Sequence, residues 1–342
     1  MQQITEYHGC SPEYFLKELL PLAQPVVLRQ AVSLWPLVQV AQEGAAALLT
    51  YLKPFDSGHA TDTLLMAPET GGRIFYRPDY QGFNFERSCY PLTIVLQQLI
   101  KISASQPSLY LALQSATLSR CLPELAKQLP LPFLPEPAAG RVWLGNQVTV
   151  PAHFDDGHNL AAVVAGRRRF TLFPPEQVAN LYPGPLDFAP TGTPISLFNV
   201  NKPDFQRYPR ARAAIDAASQ TELLPGDLLY IPLLWWHQVE SLEPVSMLVN
   251  YWWGGSLSAK SVQPAAFDSL LYTMLSMQHY TPAERRAWAA MFQHFAFNAE
   301  AAAIPNELAA LQHLLNPAGK ALPDDSKLQA LRHWLQKSLD SA

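Results

Sequence analysis

His153 and Asp155, in Pro151-Ala152-His153-Phe154-Asp155, and His237, closing Trp235-Trp236-His237, are the side chains of this sequence best suited to hold a metal ion together. Two imidazoles and one carboxylate on one side of an ion leave its other positions open. That is the facial triad of non-haem Fe(II) oxygenases, so the chemistry to expect is redox catalysis at an open metal and not a closed structural site. In a strand, side chains alternate, which puts His153 and Asp155 on one face and Phe154 on the other. A His-x-Asp tripeptide alone is weak, because it arises by chance in many proteins. His237 adds weight through its setting. Pro225-Gly226-Asp227 forms a tight turn, Leu228-Leu229-Tyr230-Ile231-Pro232 reads as a buried strand, and an apolar connection then delivers an imidazole into the next strand. The competing reading is a core histidine bonded to backbone.

Oxygen activation at such an ion needs an electron donor, commonly 2-oxoglutarate, whose distal carboxylate calls for an interior cation. Arg167-Arg168-Arg169 supplies candidates, and alternation sorts them. Arg168 shares a face with Phe170 and Leu172, where a guanidinium is costly unless it meets an anion. A two-pronged guanidinium–carboxylate contact is the natural compensation. Arg167 and Arg169 fall on the solvated side. Asn250 shares a face with Leu248 and Trp252, where an amide takes a ligand or a core partner. His158, in Asp156-Gly157-His158, reads as a solvated turn residue. His8, His59, His279, His294, His313 and His333 have no partners at metal spacing and read as structural. Asp187, Lys202 and Arg207, in the long insertion 183–222 that shapes the entrance, read as solvated loop residues.

These groups must be positioned by short strands. Segments 110–113, 141–144, 147–150, 160–165, 169–173, 228–231, 238–242 and 247–253 carry strand signals, separated by Gly/Pro turns, which argues for a sandwich or barrel. Residues 11–50 read largely helical, interrupted by a short strand at Val26-Val27-Leu28, and 62–88 reads as a hairpin around Gly71-Gly72 and Gly82. Residues 90–102 return to helical spacing. Beyond about 258 the chain is helical again: Pro282 opens one helix, and Leu328, Leu331, Leu335 and Leu339 line one face of the last. The expected division is 1–107 as an N-terminal helical and strand region, 108–255 as the catalytic barrel, and 256–342 as a helical region suited to dimerisation. Composition sets outer bounds. Apolar residues make up 49% of the 342 and charged ones 15%, enough to bury a core and too apolar for disorder. A net charge of -4 gives no pull toward nucleic acid or anionic membrane. Three scattered cysteines (Cys10, Cys89, Cys121), no basic leader and no long apolar run point to a reducing, cytoplasmic setting without a membrane span.

The ordered motifs carry a family likeness. Beyond those quoted, they are Asn159, Leu172-Phe173-Pro174-Pro175-Glu176-Gln177, Leu181-Tyr182-Pro183, Pro203-Asp204-Phe205 and Val249-Asn250-Tyr251-Trp252, with Pro25-Val26-Val27-Leu28-Arg29 and Trp35-Pro36 upstream. Through residue 254 the chain resembles the Jumonji-C, or cupin-like, Fe(II)/2-oxoglutarate oxygenases, most of all their asparaginyl-hydroxylase branch. The resemblance implies a mainly β fold, a double-stranded β-helix (jelly-roll or cupin barrel) with flanking helices. It implies Fe(II) held by His153, Asp155 and His237, and 2-oxoglutarate bound by Tyr110, Asn159, Arg168 and Asn250. Two positions depart from the family: Arg168 stands where relatives carry a lysine, and Val150 where they carry a threonine. The implied activity is hydroxylation of a protein, peptide or amino-acid side chain, with dimerisation through the C-terminal helices. A non-oxidative metal-dependent cupin enzyme and a non-catalytic binding module are the alternatives.

Overall fold

The structure is a computed structural model that describes residues 1–103, 109–255 and 266–298, with 333 and 337. Five strands precede the barrel: β1 (Gln2–Gln3), β2 (Thr5–His8), β3 (Val26–Arg29), β4 (Thr61–Met66) and β5 (Glu86–Tyr90). Nine more follow: β6 (Tyr110–Thr117), β7 (Gly140–Gly145), β8 (Thr149–His153), β9 (His158–Ala165), β10 (Arg168–Phe173), β11 (Ser219–Leu223), β12 (Leu228–Ile231), β13 (Trp236–Ser241) and β14 (Ser246–Trp253). They form two sheets, in the orders β1-β11-β10-β13-β8 and β2-β3-β12-β9-β14-β7-β6-β4-β5. From β7 to β14 the chain passes back and forth between the sheets, four strands in each. That is the double-stranded β-helix expected from the sequence. β2 and β3 extend the larger sheet on one side and β4 to β6 on the other, while β1 adds to the smaller sheet.

Alternation explains the layers. One face of each sheet supplies the interior, where Val27, Ala161, Phe170, Leu229, Val239 and Leu248 pack together. The outer face of the larger sheet, with Val142, Leu144 and Val249, is covered by helices. In the helix Leu92–Ser103, the buried residues are Leu92, Val95, Leu96 and Leu99. Steps of three and four residues place them in one stripe, the pattern of a helix lying on a core. Truncating fully buried Leu96 to alanine would cost about 2–5 kcal/mol. β9 lies between β12 and β14 and is covered on both faces, so Leu160 to Ala165 is apolar without interruption.

Several expectations are adjusted. Residues 11–50 hold only short helical pieces around β3. The hairpin expected over 62–88 is made by β4 and β5, whereas 73–76 contributes isolated bridges from Arg73 to Thr149 and from Tyr76 to Phe83. β11 carried no recognised signal. The helix Pro282–Phe292 starts where read, with Thr281 and Glu284 forming a capping box. The leucine stripe 328–339 lies outside the described residues. Contacts divide the chain into Met1–Phe267 and Asp268–Ala342. No helix among the described residues is long and apolar enough to cross a membrane.

Candidate metal centre

β13 runs antiparallel to β8 with His237 directly opposite His153. Their rings lie 4.3 Å apart between centroids. β8 ends at His153, so Asp155 sits just beyond the strand and not within it. It still reaches the pair: its Oδ2 is 3.6 Å from His237 Nε2. One ligand atom from each of the three falls within 4.8 Å of the others, the one such metal-capable cluster among the described residues.

The same local device orients both rings. His153 Nδ1 lies 2.9 Å from the Pro151 carbonyl, and His237 Nδ1 lies 3.0 Å from that of Trp235. A carbonyl only accepts, so each Nδ1 carries the proton and each Nε2 keeps a free lone pair for an ion. Burial holds the His153 pKa below the usual imidazole value, and the neighbouring His237 lowers it further, which favours the neutral ligand form. Trp252 donates its indole N–H to Asp155 Oδ2 at 3.1 Å, fixing the carboxylate.

The turn before His237 is pinned from two sides. Leu234, a non-glycine residue at φ +61°, donates its backbone N–H to the Asp155 carbonyl at 3.2 Å. His158 Nδ1 accepts from the Leu233 N–H at 3.3 Å and lies 3.0 Å from the Tyr230 hydroxyl. The solvated-turn reading of His158 is therefore corrected. It opens β9 and stacks on Tyr230 and Trp253, because the strand starts directly after Gly157, two residues ahead of its apolar run.

A cavity of about 190 Å³ opens beside the cluster, and Asn159, Arg168 and Asn250 line it with the three ligands. Asn250 donates to Asn159 Oδ1 at 2.7 Å, while its own buried Oδ1 has no partner. Arg168, 6% exposed, makes only long contacts to Ser246 and the Trp143 carbonyl, at 3.2–3.5 Å. No carboxylate among the described residues pairs with it, and burial pushes its pKa down to about 9. An interior cation without a counter-ion, next to an oriented His–Asp–His set, fits a bound metal and an anionic co-ligand. Arg167 and Arg169 instead pair with Glu222 and Glu243 at the surface, and Arg169 also lies near the buried Glu240.

Tyr110 is the one expected site residue that does not line this cavity. It packs against the cluster of Leu64, Met66, Ile74, Ala112 and Val148, and its ring lies so close to Gly72 that a Cβ there would come within 2.7 Å of it. Only a glycine at position 72 leaves room for the ring there. Asp187, Lys202 and Arg207 are exposed, as read. Gln114, Ser115, Trp143 and Thr191 line the cavity and were not singled out from the sequence.

The fold is that of a cupin whose His–Asp–His cluster could hold a metal ion, and residues 12–258, more than two-thirds of the chain, match the cupin-like domain family: the chain belongs to it. It is 40% identical over 113 residues to HSPB1-associated protein 1 of Homo sapiens, 32% of this chain and 22% of that protein. Over 102 residues it is 39% identical to lysine-specific demethylase JMJ31 of Arabidopsis thaliana, covering 30% of this chain and 18% of the other. Over 114 residues it is 38% identical to Jumonji C domain-containing protein 5 of Drosophila melanogaster, covering 33% and 27%. The matched stretch thus spans about a fifth to a quarter of these relatives. The Jumonji-C resemblance read from the motifs agrees with the names of the latter two.

Proposed function

We propose that the protein is an Fe(II)- and 2-oxoglutarate-dependent oxygenase that hydroxylates a protein, peptide or amino-acid side chain. The observation that carries this reading is Arg168, a buried guanidinium with no acidic partner among the described residues, set in the same cavity as His153, Asp155 and His237. A structural metal site would need no such cation. When bound, the iron would activate oxygen with the oxoacid as electron donor, and the protein supplies placement. His153 and His237 offer Nε2 because backbone carbonyls hold their Nδ1 protons. Asp155 offers the charge, aimed by Trp252. Arg168 binds the far carboxylate of the oxoacid, and the apolar walls of Val150, Phe170, Val239 and Leu248 keep bulk water from the reacting groups.

The test is to supply Fe(II), 2-oxoglutarate and oxygen and to follow succinate and bound iron. Asp155→Ala should abolish succinate formation and weaken iron binding by more than the roughly 100-fold that loss of an outer partner brings. Retained iron and unchanged turnover would remove the assignment. Turnover of a substrate without oxygen uptake would favour a non-oxidative cupin.

A further inference from the structure

Aromatic rings and arginines gather around a hollow that shares no lining residue with the metal cavity. Before β5 the chain folds back on itself: the Arg77 N–H donates to the Gly82 carbonyl at 2.8 Å, and Tyr76 bridges to Phe83. Tyr80 tops this small hairpin in the left-handed region, at φ +56°, a strained conformation for so bulky a residue. The insertion after β10 is tied to it by two hydrogen bonds. Tyr76 donates its hydroxyl proton to the Phe188 carbonyl at 2.7 Å, and Arg207 donates to the Tyr80 hydroxyl at 3.2 Å. Between the two segments lies a cavity of about 280 Å³, walled by Phe75, Tyr76, Tyr80, Phe188 and Tyr208, with Arg207 at its side. That size is at the small end for a ligand pocket and suits one ring system. Phe83 stacks on Phe85 and Phe188, at 5.3 and 4.8 Å between centroids, which stiffens one wall.

Two guanidiniums serve this space. Arg207 lines it. Arg73 lies 3.7 Å over the Phe75 ring and donates to the Phe198 carbonyl at 3.3 Å. Burial pushes the Arg73 pKa down to about 10, against the opposing pull of the Tyr208 and Tyr80 hydroxyls. Its charge therefore stands beside the same rings. Neither arginine forms an ion pair among the described residues, whereas Arg77 on the same hairpin pairs with Asp79 at 3.4 Å. No acidic residue lines the cavity. Asp187 and Asp204 act only from its surroundings, and Asp204 is taken up by the backbone N–H groups of Gln206 and Arg207. A ring face balances part of a guanidinium's charge but satisfies none of its N–H donors. Flat aromatic walls with two such cations beside them call for a planar ring that carries a negative group.

We propose that this hollow is a second binding site, for a small aromatic acid: one planar ring bearing a carboxylate or a phosphate. Phe75 and Tyr208 take the ring, and Arg73 and Arg207 take the anion. The site does not depend on the oxygenase reading.

The experiment is a fluorine NMR titration of the full-length protein, with saturating 2-oxoglutarate present, using 4-fluorobenzoate and 4-fluorophenyl phosphate. 4-Fluorobenzamide and 4-fluorobenzamidine are the neutral and cationic controls of the same ring. At least one acid should saturate with Kd below about 1 mM and bind at least about tenfold more tightly than either control. The tighter acid identifies carboxylate or phosphate as the group taken. Arg207→Gln should melt as the wild type does and weaken that acid about tenfold. Arg73→Gln should weaken it by a similar factor, and Arg73→Lys should restore part of the loss, which a merely structural role would not do. Arg168→Met, in the metal cavity, should bind the acid as the wild type does. No saturation by either acid, equal or tighter binding of a control, indifference to both Arg73→Gln and Arg207→Gln, or loss of binding in Arg168→Met overturns the proposal.

Discussion

Two arginines reach into the molecule and meet opposite surroundings. Arg29, at the end of β3, ion-pairs with Glu6 and with Asp227, the latter at 2.6 Å. Asp227 is itself 1% exposed and accepts the Gln30 and Leu224 backbone N–H groups. The Glu6 and Asp227 carboxylates raise the Arg29 pKa. Arg168 is more deeply buried and has no carboxylate partner among the described residues, and its pKa falls. The corner around Arg29 closes its own charge balance and so serves the fold. The cavity around Arg168 leaves its balance open, which only an anionic ligand completes.

That contrast can be broken by substitution. Arg29→Met should destabilise by about 3–5 kcal/mol in urea unfolding, because it strands a buried carboxylate. A loss under about 1 kcal/mol would mean the corner is not a structural ion pair. Arg168→Met should leave the ligand-free melting temperature unchanged or raised, since it removes an uncompensated charge, yet raise the 2-oxoglutarate concentration needed for half-maximal turnover about 30- to 100-fold. Arg167→Ala, at the surface, should change neither. Equal effects of the two would contradict the assignment of Arg168 to the interior anion. Trp252→Phe keeps the ring but frees Asp155, and should lower iron affinity by about tenfold at least, read by competition with a chelator.

The smallest effect concerns acid. The hydrogen bond from Arg29 holds the Glu6 carboxyl below its ordinary value of 4.5. A lowered carboxylate pKa stabilises the fold above the unfolded value and loses that contribution as pH falls through the folded one. Wild type and Glu6→Gln should therefore differ slightly at neutral pH and converge well below 4.5, with the midpoint of urea unfolding as the measure.

The sequence carried the ligand set because strand alternation and turn chemistry are local. His153 and Asp155 are two residues apart, and Arg168 could be sorted from its neighbours by face alone. The juxtaposition of His153 with His237 depends on β8 pairing with β13, a long-range register that motifs imply but spacing does not. Gln114 and Ser115 were invisible for the opposite reason. A bulge in β6, where the pairing with β7 slips between Leu113 and Ala116, cancels the period-two rule on which a strand reading rests. His158 looked like a loop residue because Asp156-Gly157 is a turn, and only the stacked rings of Tyr230 and Trp253 show that the strand already begins at it. Tyr110 has the residue type of a ligand contact, but Gly72 gives its ring a different home.

Because His237 stands straight across from His153, sliding one strand by a single position would turn one imidazole outward and dismantle the pair. An ion captured there would act as a rivet between segments that are far apart along the chain. Metal loading should then reward correct assembly of that sheet, and chelation should expose the β8–β13 amides to solvent exchange before those buried at the centre of the larger sheet.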